Sequence, residues 1–132
     1  MQRILIIEDD PDAREMISIA LSDSGYECLS SPTAKDGMAS CASGKPDLIL
    51  MDVNLPDGNG IDLCRKIKSV YGLRHIPILI LTGAAVDTEA RVEGLKAGAD
   101  DYMIKTIGPY EMLSRIHRVI ETSKKPYRPL PV

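Results

Sequence analysis

The chain has 132 residues, 44% hydrophobic and 27% charged, which is the balance of one compact soluble domain rather than a disordered, fibrous or membrane protein. Sixteen basic residues against 19 acidic ones give a formal net charge of −3, so no overall cationic field draws the chain to nucleic acid or an anionic membrane. No apolar run approaches the roughly 18–20 residues that cross a bilayer, and Met1-Gln2-Arg3 leads into a short apolar run without a cleavage site, which predicts a cytoplasmic protein.

In chain order, Ile4-Leu5-Ile6-Ile7 reads as a strand buried on both faces, because its apolar residues are continuous rather than alternating. A helix follows, with Asp10 as its cap, Pro11 at its first position, and Ala13, Met16, Ile17, Ala20 and Leu21 as its apolar stripe. Tyr26-Glu27-Cys28-Leu29 alternates and suits an outer strand, and a short helix is expected near residues 33–42. Leu48-Ile49-Leu50-Met51 is the third strand, followed by a helix whose stripe is Leu63, Cys64, Ile67, Val70 and Tyr71. Ile78-Leu79-Ile80-Leu81 is the fourth, with a helix near 87–97 after it. The weaker run Tyr102-Met103-Ile104 is the fifth, before a helix striped by Met112, Leu113, Ile116, Val119 and Ile120. Gly25, Gly44 and Gly98 fall where helices should stop.

Fivefold alternation of strand and helix predicts an α/β fold, a doubly wound parallel sheet with helices on both faces and right-handed crossovers. The first strand lacks a following G-x-G-x-x-G, so the dinucleotide-binding version of that fold is without its fingerprint; Gly58-Asn59-Gly60 is a turn signal only. The last ten residues, 123–132, carry Pro126, Pro129 and Pro131 and read as a tail or linker. Cys28, Cys41 and Cys64 are odd in number, far apart and outside any C-x-x-C pair, so they read as reduced core residues rather than a disulfide framework or zinc site. His75 and His117 read as loop and helix-surface positions with no metal or phosphotransfer role.

Ligands of an open parallel sheet sit beyond the carboxyl ends of its strands. Those ends carry Glu8, Asp9 and Asp10 after the first strand, Asp52 after the third, Thr82 after the fourth and Lys105 after the fifth. If the first and third strands are neighbours, carboxylates crowd together and need a cation, since like charges at close range resist joint ionisation. An all-oxygen donor set without His or Cys suits a hard divalent ion, most naturally Mg2+, with Lys105 supplying further positive charge. Mg2+, a lysine and a hydroxyl around one aspartate are equipment for phosphoryl transfer, with the aspartate as nucleophile.

Four motifs in order then resemble a known family: Ile6-Ile7-Glu8-Asp9-Asp10 with Arg14, Asp52-Val53-Asn54-Leu55-Pro56-Asp57-Gly58-Asn59-Gly60, Leu81-Thr82-Gly83, and Gly98-Ala99-Asp100-Asp101-Tyr102-Met103-Ile104-Lys105. The chain is similar to receiver domains of two-component response regulators, over residues 1–122, with 123–132 left as the proline-rich tail or linker. The resemblance implies a flavodoxin-like five-stranded sheet of order 2-1-3-4-5 with five helices. It also implies Asp52 as acceptor of a phosphoryl group from a sensor histidine kinase or histidine phosphotransfer protein. Asp9 and Asp52 should then bind Mg2+ directly, Glu8 through water, and Asn54 through its main-chain carbonyl. Thr82 and Lys105 should hold phosphoryl oxygens, and Thr82 and Tyr102 should form the switch, Tyr102 rotating inward as Thr82 is drawn to the phosphorylated Asp52. The implied product is a receiver that supports its own phosphotransfer and slow autodephosphorylation rather than an enzyme with a separate substrate.

The output face implied is the fourth helix, fifth strand and fifth helix, where Arg91 and Glu111, and Asp101 and Arg115, resemble pairs that join receiver dimers in regulators with winged-helix DNA-binding domains. One departure stands out: family members usually carry a cis proline directly after the lysine, and here Thr106 occupies that place. A cis bond costs roughly 2.5–4 kcal/mol before a residue other than proline, so the Lys105–Thr106 peptide is expected to be trans, the loop re-aimed, and Pro109 to start the last helix. An aspartate-nucleophile phosphatase of the haloacid dehalogenase type shares the equipment but needs an acid two residues after its nucleophile, where this chain has Asn54. A phosphorylation-independent pseudo-receiver would have lost an acceptor that this chain keeps.

Overall fold

A computed structural model of the chain describes residues 1–83 and 88–124. Strands β1 (Arg3–Ile7), β2 (Glu27–Ser31), β3 (Leu48–Asp52), β4 (Ile78–Thr82) and β5 (Asp101–Ile104) form one parallel sheet of order β2-β1-β3-β4-β5. Helices α1 (Pro11–Asp23), α2 (Ala34–Gly44), α3 (Gly60–Ser69), α4 (Thr88–Lys96) and α5 (Pro109–Lys124) connect and follow them, and a two-residue antiparallel pair, Asn54–Leu55 with Gly58–Asn59, lies between β3 and α3.

Strand periodicity explains the two cores. Successive side chains point to opposite faces. Ile4, Ile6, Leu48, Leu50, Leu79, Leu81 and Met103 therefore pack with Leu21 of α1 and with Met112, Ile116 and Ile120 of α5. Their strand neighbours Leu5, Ile7, Ile49, Met51, Ile78, Ile80 and Tyr102 pack on the other face with Cys41 of α2 and Ile61, Leu63, Cys64 and Ile67 of α3. Both faces of β1, β3 and β4 are covered, which is why these runs are continuously apolar.

Helix starts follow their caps. The Asp10 carboxylate accepts from the Asp12 amide at 3.2 Å with Pro11 in the first turn, Thr33 accepts from the Asp36 amide at 3.0 Å, and Asn59 accepts from the Ile61 amide at 2.7 Å. Some ends differ from expectation. Gly25 and Gly98 follow their helices with φ of +92° and +107°, but Gly44 is the last residue of α2 and Lys45 takes the left-handed turn at φ +46°. In α3 the stripe stops at Ile67, because the helix ends at Ser69 and leaves Tyr71 exposed, with Arg74 stacked on its ring at 4.5 Å. Met16, expected on the buried stripe of α1, lies exposed while Leu21 is buried. The last helix runs through Ser123 and Lys124, two residues into the stretch read as a tail, and residues 125–132 lie outside those described. No described helix is long and apolar enough to cross a membrane.

Candidate functional site

The strand order brings the carboxyl end of β1 beside that of β3, with β4 and then β5 alongside. Glu8 follows β1 directly and is 2% exposed; Asp52 ends β3 and is 6% exposed. One carboxylate oxygen each from Glu8, Asp9 and Asp52 lie within 4.8 Å of one another, with Asp9 turned to the surface. The Lys105 ammonium crosses from beyond β5 to donate to Glu8 Oε1 at 2.7 Å and Asp52 Oδ2 at 2.9 Å. Three carboxylates thus face one ammonium, leaving the site formally two charges negative.

Those contacts shift both partners upward for different reasons. Burial raises the Glu8 carboxyl above its ordinary value, against the Lys105 hydrogen bond that pulls it down, and the neighbouring Asp52 adds to the rise. Burial disfavours the Lys105 charge, yet the hydrogen bonds and charges of Glu8 and Asp52 outweigh it and hold the ammonium above its usual range.

Backbone geometry fixes Asp52 further. The Asn54 amide donates to Asp52 Oδ1 at 3.2 Å, occupying the oxygen that Lys105 does not. Gly60 starts α3 with its amide on the Val53 carbonyl at 2.7 Å, and a Cβ there would collide with the Asp52 carbonyl oxygen, so the close approach of α3 to the β3 end requires glycine. Arg14 donates to the Glu8 carbonyl at 2.9 Å and ties α1 to the acidic turn. Thr82 is buried at the end of β4, and its carbonyl accepts from the Lys105 amide at 2.6 Å. Tyr102 is buried in β5, on the sheet face that carries α2 and α3. The Lys105–Thr106 peptide is trans and α5 does start at Pro109, while the lysine still reaches Asp52.

Asp10 stays outside the cluster as the cap of α1, and His75 and His117 are exposed. Arg115 pairs within the chain to both Asp101 at 3.4 Å and Glu111 at 3.2 Å, and Arg91 lines the same hollow beside Tyr102. Asp57 was missed by the sequence reasoning: its carboxylate accepts from the Ala34 and Lys35 amides at 2.7 and 3.0 Å and so closes the start of α2 from the β3–α3 loop. Pro56-Asp57-Gly58 signals a turn, but its target lies 23 residues away in sequence and no local signal names it.

The all-oxygen donor set of Glu8, Asp9 and Asp52 fits a hard divalent cation. The model of the response regulator receiver domain family matches residues 4–117. The chain belongs to the response regulator receiver family. This receiver is 41% identical over 117 residues to the phosphate regulon transcriptional regulatory protein PhoB of Pseudomonas aeruginosa, covering 89% of this chain and 51% of the relative. It is 39% identical over 115 residues to the DNA-binding response regulator MtrA of Mycolicibacterium smegmatis, covering 87% and 49%. The receiver chain therefore spans about half the length of these relatives. A crystal structure of a response regulator from Chloroflexus aurantiacus superposes with a TM-score of 0.86 at 31% identity, over 91% of this chain and 98% of that one.

Proposed function

We propose that Asp52 accepts a phosphoryl group from a phosphohistidine on a sensor histidine kinase or histidine phosphotransfer protein, in the cytoplasm. The observation that carries this reading is the Lys105 ammonium, 2.9 Å from Asp52 Oδ2 at the carboxyl edge of a receiver-family sheet. In the transfer, an Asp52 oxygen bonds to phosphorus as the nitrogen–phosphorus bond breaks, and the ring nitrogen keeps that electron pair, leaving a neutral histidine whose other nitrogen carries the proton. Lys105 neutralises charge on the transferred group, and the Thr82 hydroxyl donates to one of its oxygens.

Glu8, Asp9 and Asp52, with the Asn54 carbonyl, are the groups that would hold Mg2+. When bound, Mg2+ supplies charge neutralisation at the phosphoryl oxygens. The acyl phosphate then draws Thr82 toward Asp52 and holds Tyr102 in its buried, inward position, and the α4–β5–α5 face changes. That face carries Arg91, Asp101, Glu111 and Arg115, and the reading extends to a homodimer through it. The chain is a switch that supports its own phosphotransfer and slow autodephosphorylation. By analogy with the phosphate regulon transcriptional regulatory protein named above, the output that this switch controls is transcription.

Acetyl phosphate with Mg2+ should label the wild type, and neither Mg2+-free protein nor Asp52→Ala should be labelled. Equal labelling of Asp52→Ala would overturn the assignment, and steady turnover of a small phosphomonoester would point to a phosphatase instead.

A further inference from the structure

Helix α4 has one buried residue, and that residue is Gly94. Glycine is the poorest helix former after proline, so a nine-residue helix that places it at its buried contact gives up helical stability there. The contact explains the choice. A Cβ at Gly94 would stand 3.0 and 3.1 Å from Cδ2 and Cε2 of the Tyr102 ring and 3.2 Å from Cδ1 of Ile80. The ring therefore lies against the bare backbone of α4, with Ile80 of β4 at the same contact.

We propose that Gly94 is a positioning residue for the Tyr102 switch: its missing Cβ is the seat that admits the ring inward and couples ring position to how closely α4 lies on the sheet. This rests on the reading of Tyr102 as the switch residue and adds the α4 determinant that decides whether the inward position can be occupied. Inserting one methyl group into a packed contact carries a cost that the ring escapes by moving out.

Nitration by tetranitromethane, read residue by residue by peptide mass spectrometry, tests the seat on the full chain. Tyr71 and Tyr110, 80% and 88% exposed, are internal standards, and half-buried Tyr26 on the opposite face reports general loosening. Gly94→Ala should raise nitration of Tyr102 relative to Tyr110 about fivefold or more, the shift that overpacking at the low end of its range produces, and leave Tyr26 unchanged. An unchanged Tyr102 ratio overturns the proposal, and so does a rise shared by Tyr26.

A second arm compares urea midpoints in two backgrounds. Gly94→Ala should lower the midpoint when Tyr102 is present and lower it less, or raise it, in Tyr102→Val, whose side chain ends before the δ carbons, because alanine's helix preference then meets only the Ile80 methyl. A rise in both backgrounds overturns the seat. Neither arm uses phosphorylation. Failure to label Asp52 would remove the receiver reading while leaving these outcomes legible, and an unresponsive Tyr102 would remove the seat while leaving the labelling intact.

Discussion

At Lys105, 27% exposed, one ammonium meets two carboxylates that are nearly out of water, so its charge state bears on stability as well as on phosphotransfer. Its folded-state pKa lies above the ordinary 10.5, so the stabilisation is fully present below about pH 10.5 and is lost as pH rises through the raised value. Lys105→Gln keeps a donor but no charge, and should cost about 1–3 kcal/mol at pH 7, as expected when buried charged groups lose their partner. Urea denaturation of the Mg2+-free proteins measures this, and the gap between wild type and variant should close on the alkaline side. Glu8 runs in the same direction, at lower pH. Its folded pKa is raised from 4.5, so the folded state favours its proton, and stability falls as pH climbs from 4.5 through the raised value. In Lys105→Gln that fall should extend to higher pH.

Among the elements, α2 shows how much of a helix end can lie outside its own sequence. Thr33 caps it locally, and Asp57, from the loop after β3, takes two more of its free amides. Those amides hold the Asp57 carboxyl below the ordinary 3.8, so its stabilisation is present above pH 3.8 and lost as pH falls through the lowered value. Asp57→Asn should lower the urea midpoint at pH 7, with the difference shrinking toward pH 3; an equal difference at both would mean that charge is not what α2 uses. That a helix starts near residue 33 was legible locally, and the Thr33 cap itself is a spacing of three residues. The role of Asp57 was not legible, because its partners meet it only when α2 and the β3–α3 loop pack side by side. The same distinction explains Gly44 and Lys45: a glycine near a helix end predicts a stop, but which residue takes the left-handed turn depends on how the chain enters β3.

For the molecule as a whole, the two-sided sheet makes its cysteines reporters of global opening. Cys41 and Cys64 are fully buried, and burial raises both thiols, Cys64 to about 11, whereas Cys28 on the outer strand is partly exposed. At pH 7.5 N-ethylmaleimide should modify Cys28 alone in the native protein, with Cys41 and Cys64 reacting only as the domain unfolds. Mass spectrometry along a urea series checks this, and early modification of Cys64 would show that its face opens locally.

Strand and helix existence, their order, the parallel sheet and the acids, hydroxyl and amine at its carboxyl edge were all written in local patterns: runs of four apolar residues, stripes of helical period and caps at fixed offsets. These signals survive in one dimension because they arise between residues close in sequence. Tertiary structure decided that Glu8 turns inward to Lys105 while Asp9 faces out, that Met16 is exposed, that Asp57 closes α2, and that Tyr102 rests on Gly94. Each depends on how elements far apart in the chain pack together, where burial and the distance between groups, not spacing along the chain, set the outcome.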